Sequence, residues 1–154
     1  MFLTVVLCCR GQVQVMNTVY DLGMDSVLFL TPCHATPYYS SLHVHKHMRF
    51  MDCSPQEFRD AVYQANRKDM EWIRVPGYDS HVSSERYYFE NNPAKVLSSI
   101  LSNGTVPDVI VSFASTSQEI LPVLGAYRLH TRQQNCLITF EENTDCLIDV
   151  FVRR

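Results

Sequence analysis

The sequence predicts an α/β domain, a layered sandwich with a mixed, largely parallel sheet and a C-terminal antiparallel hairpin. Three observations carry that expectation. Val27-Leu28-Phe29-Leu30 and Val109-Ile110-Val111-Ser112-Phe113 are short continuous apolar runs, as expected of strands buried on both faces of a helix-covered sheet. Segments of helical period alternate with strand-like runs, the pattern of layered α/β domains. The chain closes on two β-rich runs, Cys136 to Phe140 and Cys146 to Val152, joined by the polar connection Glu141-Glu142-Asn143-Thr144-Asp145 of hairpin length.

The elements follow in order. Val13, Met16, Val19 and Tyr20 recur at helical spacing, and Gly23 suits the left-handed residue that ends a helix, so a first helix is expected over residues 12 to 22. The strand at 27 to 30 is bounded by Asp25-Ser26 and Thr31-Pro32. Residues 31 to 47 hold two prolines, two tyrosines and four histidines without a helical period and read as a long ordered loop, a kind of segment that is often functional. Met48 to Met51 reads as a short strand. Ser54-Pro55-Gln56-Glu57 is a helix start, with Phe58, Ala61, Val62 and Ala65 as its buried stripe. Residues 67 to 90 are polar and aromatic and carry no firm assignment. Asn92-Pro93 opens another helix whose stripe is Leu97, Ile100 and Leu101, and which stops at Asn103-Gly104. After the strand at 109 to 113, Ser115 and Gln118 are candidate caps for a helix carrying Ile120, Leu121 and Leu124, which Pro122 should kink or delay.

Composition bounds the function. The 154 residues are 46% apolar and 19% charged, with five glycines and seven prolines, which fits one domain with its own core. A chain of this length buries roughly 70% of its unfolded surface, so neither disulfides nor metal are obligatory for stability. The formal charge is −3 and no basic run exceeds Arg153-Arg154, so the electrostatic footprint of nucleic-acid binding is missing. No stretch approaches the roughly 20 apolar residues of a membrane-spanning helix. Met1 to Cys9 is apolar apart from Thr4 but lacks the basic start of a secretory signal, and reads as a buried segment or as the cut end of something longer.

Several residue groups bear on chemistry. His43, His45 and His47 alternate and in extended chain share one face, with His34, Cys33 and Cys53 as further candidate ligands for a metal-dependent hydrolase. The competing reading is three exposed loop histidines, since no carboxylate or cysteine sits at a recurring metal spacing. Cys33-His34 is a weak nucleophile and base pair because adjacent side chains seldom meet. Neither GxGxxG nor GxxxxGK[ST] occurs, which excludes nucleotide binding through those loops. Asp52, Glu141 and Glu142 read as solvated turn residues rather than a glycosidase pair, and Trp72, Tyr78, Tyr87, Tyr88 and Phe89 as core rather than a sugar platform. The six cysteines form no CxxC pair. Asn103-Gly104-Thr105 is an N-glycosylation acceptor, and with an even cysteine count it points to an oxidising compartment in which Cys33 and Cys53 are a candidate disulfide.

The segment Phe29 to Pro55 (FLTPCHATPYYSSLHVHKHMRFMDCSP) resembles the C-terminal luminal region of the GPI mannosyltransferase III family, which adds the third mannose of the glycosylphosphatidylinositol anchor. The likeness lies in Pro32 to Pro37, Tyr39-Ser40, His43, Met48 to Phe50 and Cys53 to Pro55, and extends more weakly to Arg10-Gly11, Val15-Met16, Tyr88-Phe89, Asn92-Pro93, Leu97 and Pro107 to Phe113. Two departures stand out. His45 and His47 replace prolines of the family pattern, and nothing matches the family's acidic catalytic motif, His-Pro-Asp-Glu.

The resemblance implies a luminal α/β domain over residues 11–154, preceded at 1–10 by the stub of a last transmembrane helix, on the luminal side of the endoplasmic reticulum membrane. It implies an α-1,2-mannosyltransferase family whose donor is dolichyl-phosphate mannose. This chain is then a fragment or short isoform, without a cofactor of its own and non-catalytic by itself. The implied partners are the membrane-embedded catalytic portion and the GPI glycolipid precursor. Candidate contact residues are Cys33, His34, Thr36, Tyr39, His43, Met48, Arg49 and Phe50. A guanidinium can hold phosphate in two hydrogen bonds, so Arg49 is either a phosphate contact or half of a structural ion pair. A stand-alone α/β binding module with no transferase role is the alternative, the likeness then reporting shared fold only.

Overall fold

The computed structural model describes residues 10–31, 47–51, 85–103, 106–136 and 145–154. Its order is α1 (Arg10–Asp21), β1 (Ser26–Phe29), β2 (His47–Phe50), α2 (Glu85–Asn91), α3 (Pro93–Asn103), β3 (Val109–Phe113), α4 (Ala114–Ile120), a 3-10 turn (Leu121–Val123), β4 (Tyr127–Gln134) and β5 (Leu147–Arg153). The five strands form one sheet in the order β2-β1-β3-β5-β4. β1 pairs parallel with β2 and with β3, while β5 runs antiparallel to β3 and to β4. The protein is therefore a mixed α/β fold that closes on an antiparallel β4–β5 hairpin.

Helices cover both faces of the sheet. On one, Val15, Met16 and Val19 of α1 pack on Val27, Phe29, Val109, Val111, Phe113, Ile148, Val150 and Val152. On the other, Phe89 of α2, Val96, Leu97 and Ile100 of α3 and Ile120 of α4 pack on Leu28, Leu30, Met51, Ile110 and Phe151. That is why β1 and β3 are apolar and buried along their whole length. Phe29 and Phe50 stack across the β1–β2 ladder with ring centroids 4.4 Å apart.

The two buried strands and the hairpin follow from the sequence patterns; the strand that pairs with β5 in the hairpin precedes the expected run at 136 to 140, whose residues 137–140 lie outside the described residues. It is Tyr127–Gln134, eight residues that are mostly exposed. An edge strand needs little apolar side-chain content, because its pairing with β5 supplies the backbone hydrogen bonds, from Tyr127 opposite Arg153 to Gln134 opposite Leu147, with a bulge between Leu129 and Thr131. Residues 137–144 lie outside the described residues.

α1 begins two residues earlier than its apolar spacing suggests and buries Val15 rather than Val13, which is exposed, as is Tyr20. Its stripe is Gly11, Val15 and Val19 at four-residue steps, with Met16 beside them. Gly23 takes φ 65° and ends the helix, its N–H donating to Tyr20 O at 3.1 Å. α3 starts at Pro93, as its Asn-Pro start predicts, and Val96 N–H donates to Asn92 O at 3.0 Å.

In α4 neither Ser115 nor Gln118 caps the helix. The cap position is Phe113, which offers no side-chain hydrogen bond. Asp145 acts from across the sheet instead, its Oδ2 accepting from Ser115 N–H at 2.8 Å while Oδ1 accepts from Leu147 N–H at 3.1 Å. Pro122 falls in the 3-10 turn, and the α-helix stops at Ile120 before it. α2 falls in the stretch left unassigned from sequence, and the helix expected from Ser54 lies outside the described residues.

Candidate functional site

β1 is flanked by β2 on one side and β3 on the other, so the direction in which the parallel strands are laid down reverses around it. In open α/β sheets such a switch point opens a crevice beyond the carboxyl ends of the strands, where ligands bind. Thr31 sits at that end, two residues past β1, and is fully buried, its Oγ1 without a hydrogen-bond partner among the described residues. Leu30 still donates its N–H to Val111 O at 2.8 Å, so the chain stays against β3 up to this point.

Arg49 lies on β2, level with Leu28. Its guanidinium is 6% exposed and donates through Nη2 to Oε1 of Glu85, which is 1% exposed at the start of α2. A charge held that far from water needs its counter-charge, so the pair fixes α2 against β2. Among the described residues the guanidinium is only partly satisfied, since Nη1 has no hydrogen-bond partner there.

A second buried polar group lies at the β3–β5 junction. Asp149 is completely buried and accepts two hydrogen bonds from Arg132 of β4, Nε at 2.6 Å and Nη2 at 2.8 Å, a bidentate grip. This carboxylate raises the basicity of the Arg132 guanidinium, chiefly through the hydrogen bond and then through its charge. On β3 the hydroxyl of Ser112, opposite Asp149, shares a 2.7 Å hydrogen bond with that of Ser117, which also approaches Phe113 O at 3.0 Å. Glu85 and Asp149 are thus both engaged by arginines, and neither stands free as a general base.

At the other end of the sheet the described polar groups pair with one another. Asp108 accepts from Ser26 Oγ at 2.8 Å and from Arg153 Nη2 at 2.6 Å, and Tyr127 donates its hydroxyl to Pro107 O at 2.6 Å. Burial drives the Tyr127 phenol well above its ordinary value; Arg153 opposes the shift and Asp108 adds to it.

Of the residues singled out from sequence, Met48, Arg49 and Phe50 are placed together on β2, and His47 begins that strand in an exposed position. Cys33, His34, Thr36, Tyr39, His43, His45 and Cys53 lie outside the described residues, so the candidate Cys33–Cys53 disulfide does too. Asn103 ends α3, with Gly104 and Thr105 outside the described residues. A disulfide does join Cys136 to Cys146, across the hairpin. Among the described residues no group of three metal-ligating side chains comes together, and no helix is long and apolar enough to cross a membrane.

Sequence reasoning missed Glu85, Asp149 and the Cys136–Cys146 bridge. Asp149 had left a signal, because a carboxylate inside Leu147-Ile148-Asp149-Val150-Phe151 must find a cation if that strand is buried. Glu85 had left none.

Fold and buried pairs together define a helix-covered mixed α/β domain clasped by a disulfide, which is a class and not yet an activity. Comparison with known proteins narrows it. The chain is 29% identical over 154 residues to GPI mannosyltransferase 3 of Drosophila melanogaster, covering 91% of this chain and 24% of that protein. It is 29% identical over 123 residues to the GPI alpha-1,2-mannosyltransferase 3 of Bos taurus, covering 75% of this chain and 19% of that protein. A mannosyltransferase of Arabidopsis thaliana is 48% identical over 50 residues, 30% of this chain. The chain thus spans about a quarter or less of the length of these relatives. No family model and no solved structure matches it. The relationship to proteins of the GPI mannosyltransferase 3 type is distant and partial.

Proposed function

We propose that this chain is the C-terminal luminal domain of a GPI mannosyltransferase III-like glycosyltransferase acting in GPI-anchor biosynthesis, and that it does not transfer mannose by itself. The observation that carries the reading is the similarity to the Drosophila relative, which runs through 91% of this chain yet covers only 24% of the relative. Residues 1–10 then end the last membrane helix and residues 11–154 form the domain. The Cys136–Cys146 bridge supports the luminal placement independently, because disulfides persist in oxidising compartments such as the endoplasmic reticulum lumen.

In this reading the domain packs against the membrane-embedded catalytic portion and helps to shape the site for the GPI glycolipid precursor. Dolichyl-phosphate mannose is the donor used by that portion. Cys33, His34, Thr36, Tyr39 and His43 are the candidate contacts. Arg49 positions α2 through Glu85, and its Nη1, without a hydrogen-bond partner among the described residues, is a donor available to a phosphate oxygen.

The test supplies the isolated 154-residue chain with dolichyl-phosphate mannose and a GPI precursor awaiting its third mannose, in microsomal membranes that lack the transferase. No transfer is expected. Mannose incorporation by this chain alone would overturn the reading.

A further inference from the structure

We infer that the Cys136–Cys146 disulfide is a redox latch on α4: closed, it holds Asp145 against the first turn of that helix, and reduced, it releases the turn. The inference does not depend on what the domain is attached to. α4 cannot cap itself. It has seven residues, a length at which an isolated helix is marginal, and Phe113 at its cap position offers no side-chain hydrogen bond. The acceptor for its first turn comes from 30 residues away, where Asp145 Oδ2 takes the Ser115 N–H at 2.8 Å. Asp145 directly precedes Cys146, and its Oδ1 takes the Leu147 N–H at 3.1 Å, so the carboxylate and the cysteine are positioned together.

The two sides of the clasp are held unequally. On the β4 side Asn135 and Cys136 are buried, and α1 lies against them: a Cβ at Gly11 would be 2.5 Å from Asn135 Cα. On the β5 side Asp145 and Cys146 are partly exposed. Besides the disulfide, the described bonds that tie them to β4 are Asn135 N–H donating to Cys146 O at 2.7 Å and the Asn135 side-chain amide donating to Asp145 O at 3.1 Å. These lie beyond Gln134 and Leu147, the last paired residues of the ladder, and strand ends open locally at low cost. The bridge therefore fastens a partly exposed segment to a buried one, and the fastened segment carries the cap. Release stops inside α4, because Ser117 is buried with its hydroxyl paired to Ser112 Oγ at 2.7 Å, and Ile120 packs in the core. Opening the latch takes a dithiol reductant. One of its thiolates attacks Cys146 Sγ on the more exposed side, the S–S bond breaks, and Cys136 leaves as a thiolate that takes up a proton. The second thiol of the reductant then displaces Cys146, which leaves two protein thiols and the reductant oxidised to a disulfide.

The test follows the Ser115 amide by residue-resolved hydrogen exchange in the 154-residue chain, first oxidised and then treated with dithiothreitol. Reduction is expected to speed exchange at Ser115 roughly fivefold, the factor a typical helix cap is worth. The amide resonances of buried Val111 and Val150 should keep their positions, which shows that the sheet persists. Oxidised Asp145→Ala should already exchange at the faster rate and gain nothing from reduction. The chain carrying Cys136→Ser and Cys146→Ser should match the reduced parent with and without dithiothreitol, which separates this bridge from Cys8, Cys9, Cys33 and Cys53. An unchanged Ser115 rate in the reduced parent overturns the latch. Loss of the Val111 and Val150 resonances on reduction overturns it too, since the bridge is then a staple of the whole fold. A response to dithiothreitol that survives in Asp145→Ala or in the double-serine chain overturns the route from bridge to helix. If Asp145→Ala does not fold, the parent and the double-serine chain decide the matter between them.

Discussion

Removing Glu85 tests the polar framework of the domain. Glu85→Ala leaves the Arg49 guanidinium, 6% exposed, inside the protein without its carboxylate. Breaking a buried pair from one side costs about 3–5 kcal/mol, because the stranded charge keeps its desolvation penalty and loses the attraction that offset it. For a domain of this size each kcal/mol lowers the melting temperature by about 2–4 °C, so a fall of roughly 6–20 °C is expected. The double replacement Arg49→Met with Glu85→Leu should recover most of that loss. Both charges then go at once, Arg49 Nη1 is no longer left unpaired, and the space is filled by apolar side chains. The assay is thermal and urea unfolding of the two single variants and the double, read as a double-mutant cycle. The reasoning is refuted if Glu85→Ala costs less than about 1 kcal/mol, or if the double variant is as unstable as the sum of the singles.

Further outcomes are expected. Gly11→Ala forces a methyl group into the backbone of Gln134 and Asn135 and should destabilise by about 1–3 kcal/mol, measured by urea unfolding, with Gly125→Ala, which meets nothing within 4 Å, as the control. Cys136→Ser with Cys146→Ser opens a bridge spanning a sequence separation of 10 and should cost roughly 2–3 kcal/mol of loop-closure entropy, visible as a lower urea midpoint than that of the oxidised parent. Tyr127→Phe removes the donor to buried Pro107 O and should cost about 1–2 kcal/mol. The Tyr127 phenol is held above its unfolded value, so its contribution is complete below about pH 10 and falls away as pH rises past that point. The parent should therefore lose stability above about pH 10 more steeply than Tyr127→Phe, followed by unfolding at a series of alkaline pH values.

How far the sequence foretold the fold depended on where each element gets its stability. β1 and β3 are buried on both faces, so nearly every position is apolar and the run itself announces the strand. α3 carries both its start, Asn92-Pro93, and its apolar stripe. β4 reads as polar because it is an edge strand held by backbone pairing and by the Arg132–Asp149 grip, neither of which leaves a local pattern. The apolar run expected at 136 to 140 lies, from 137 on, outside the described residues. α2 is seven residues long with only Glu85 and Phe89 buried, and its anchor, Arg49, is 36 positions away. The candidate site divides in the same way. Arg49 stood out through its place in Met48-Arg49-Phe50, but the partner that decides its role comes from a segment with no periodic signal. Asp145, which takes the place expected for Ser115 and Gln118 at the start of α4, is likewise 30 residues from the N–H it accepts.

The account stands or falls on whether this domain is attached to a membrane transferase. The most direct measurement is the sequence of transcripts upstream of the codon for Met1. They are expected to continue in frame through several spans of apolar residues and, in an early luminal loop, to encode His-Pro-Asp-Glu or a close variant. An upstream frame that is closed by stop codons in every transcript would contradict the account.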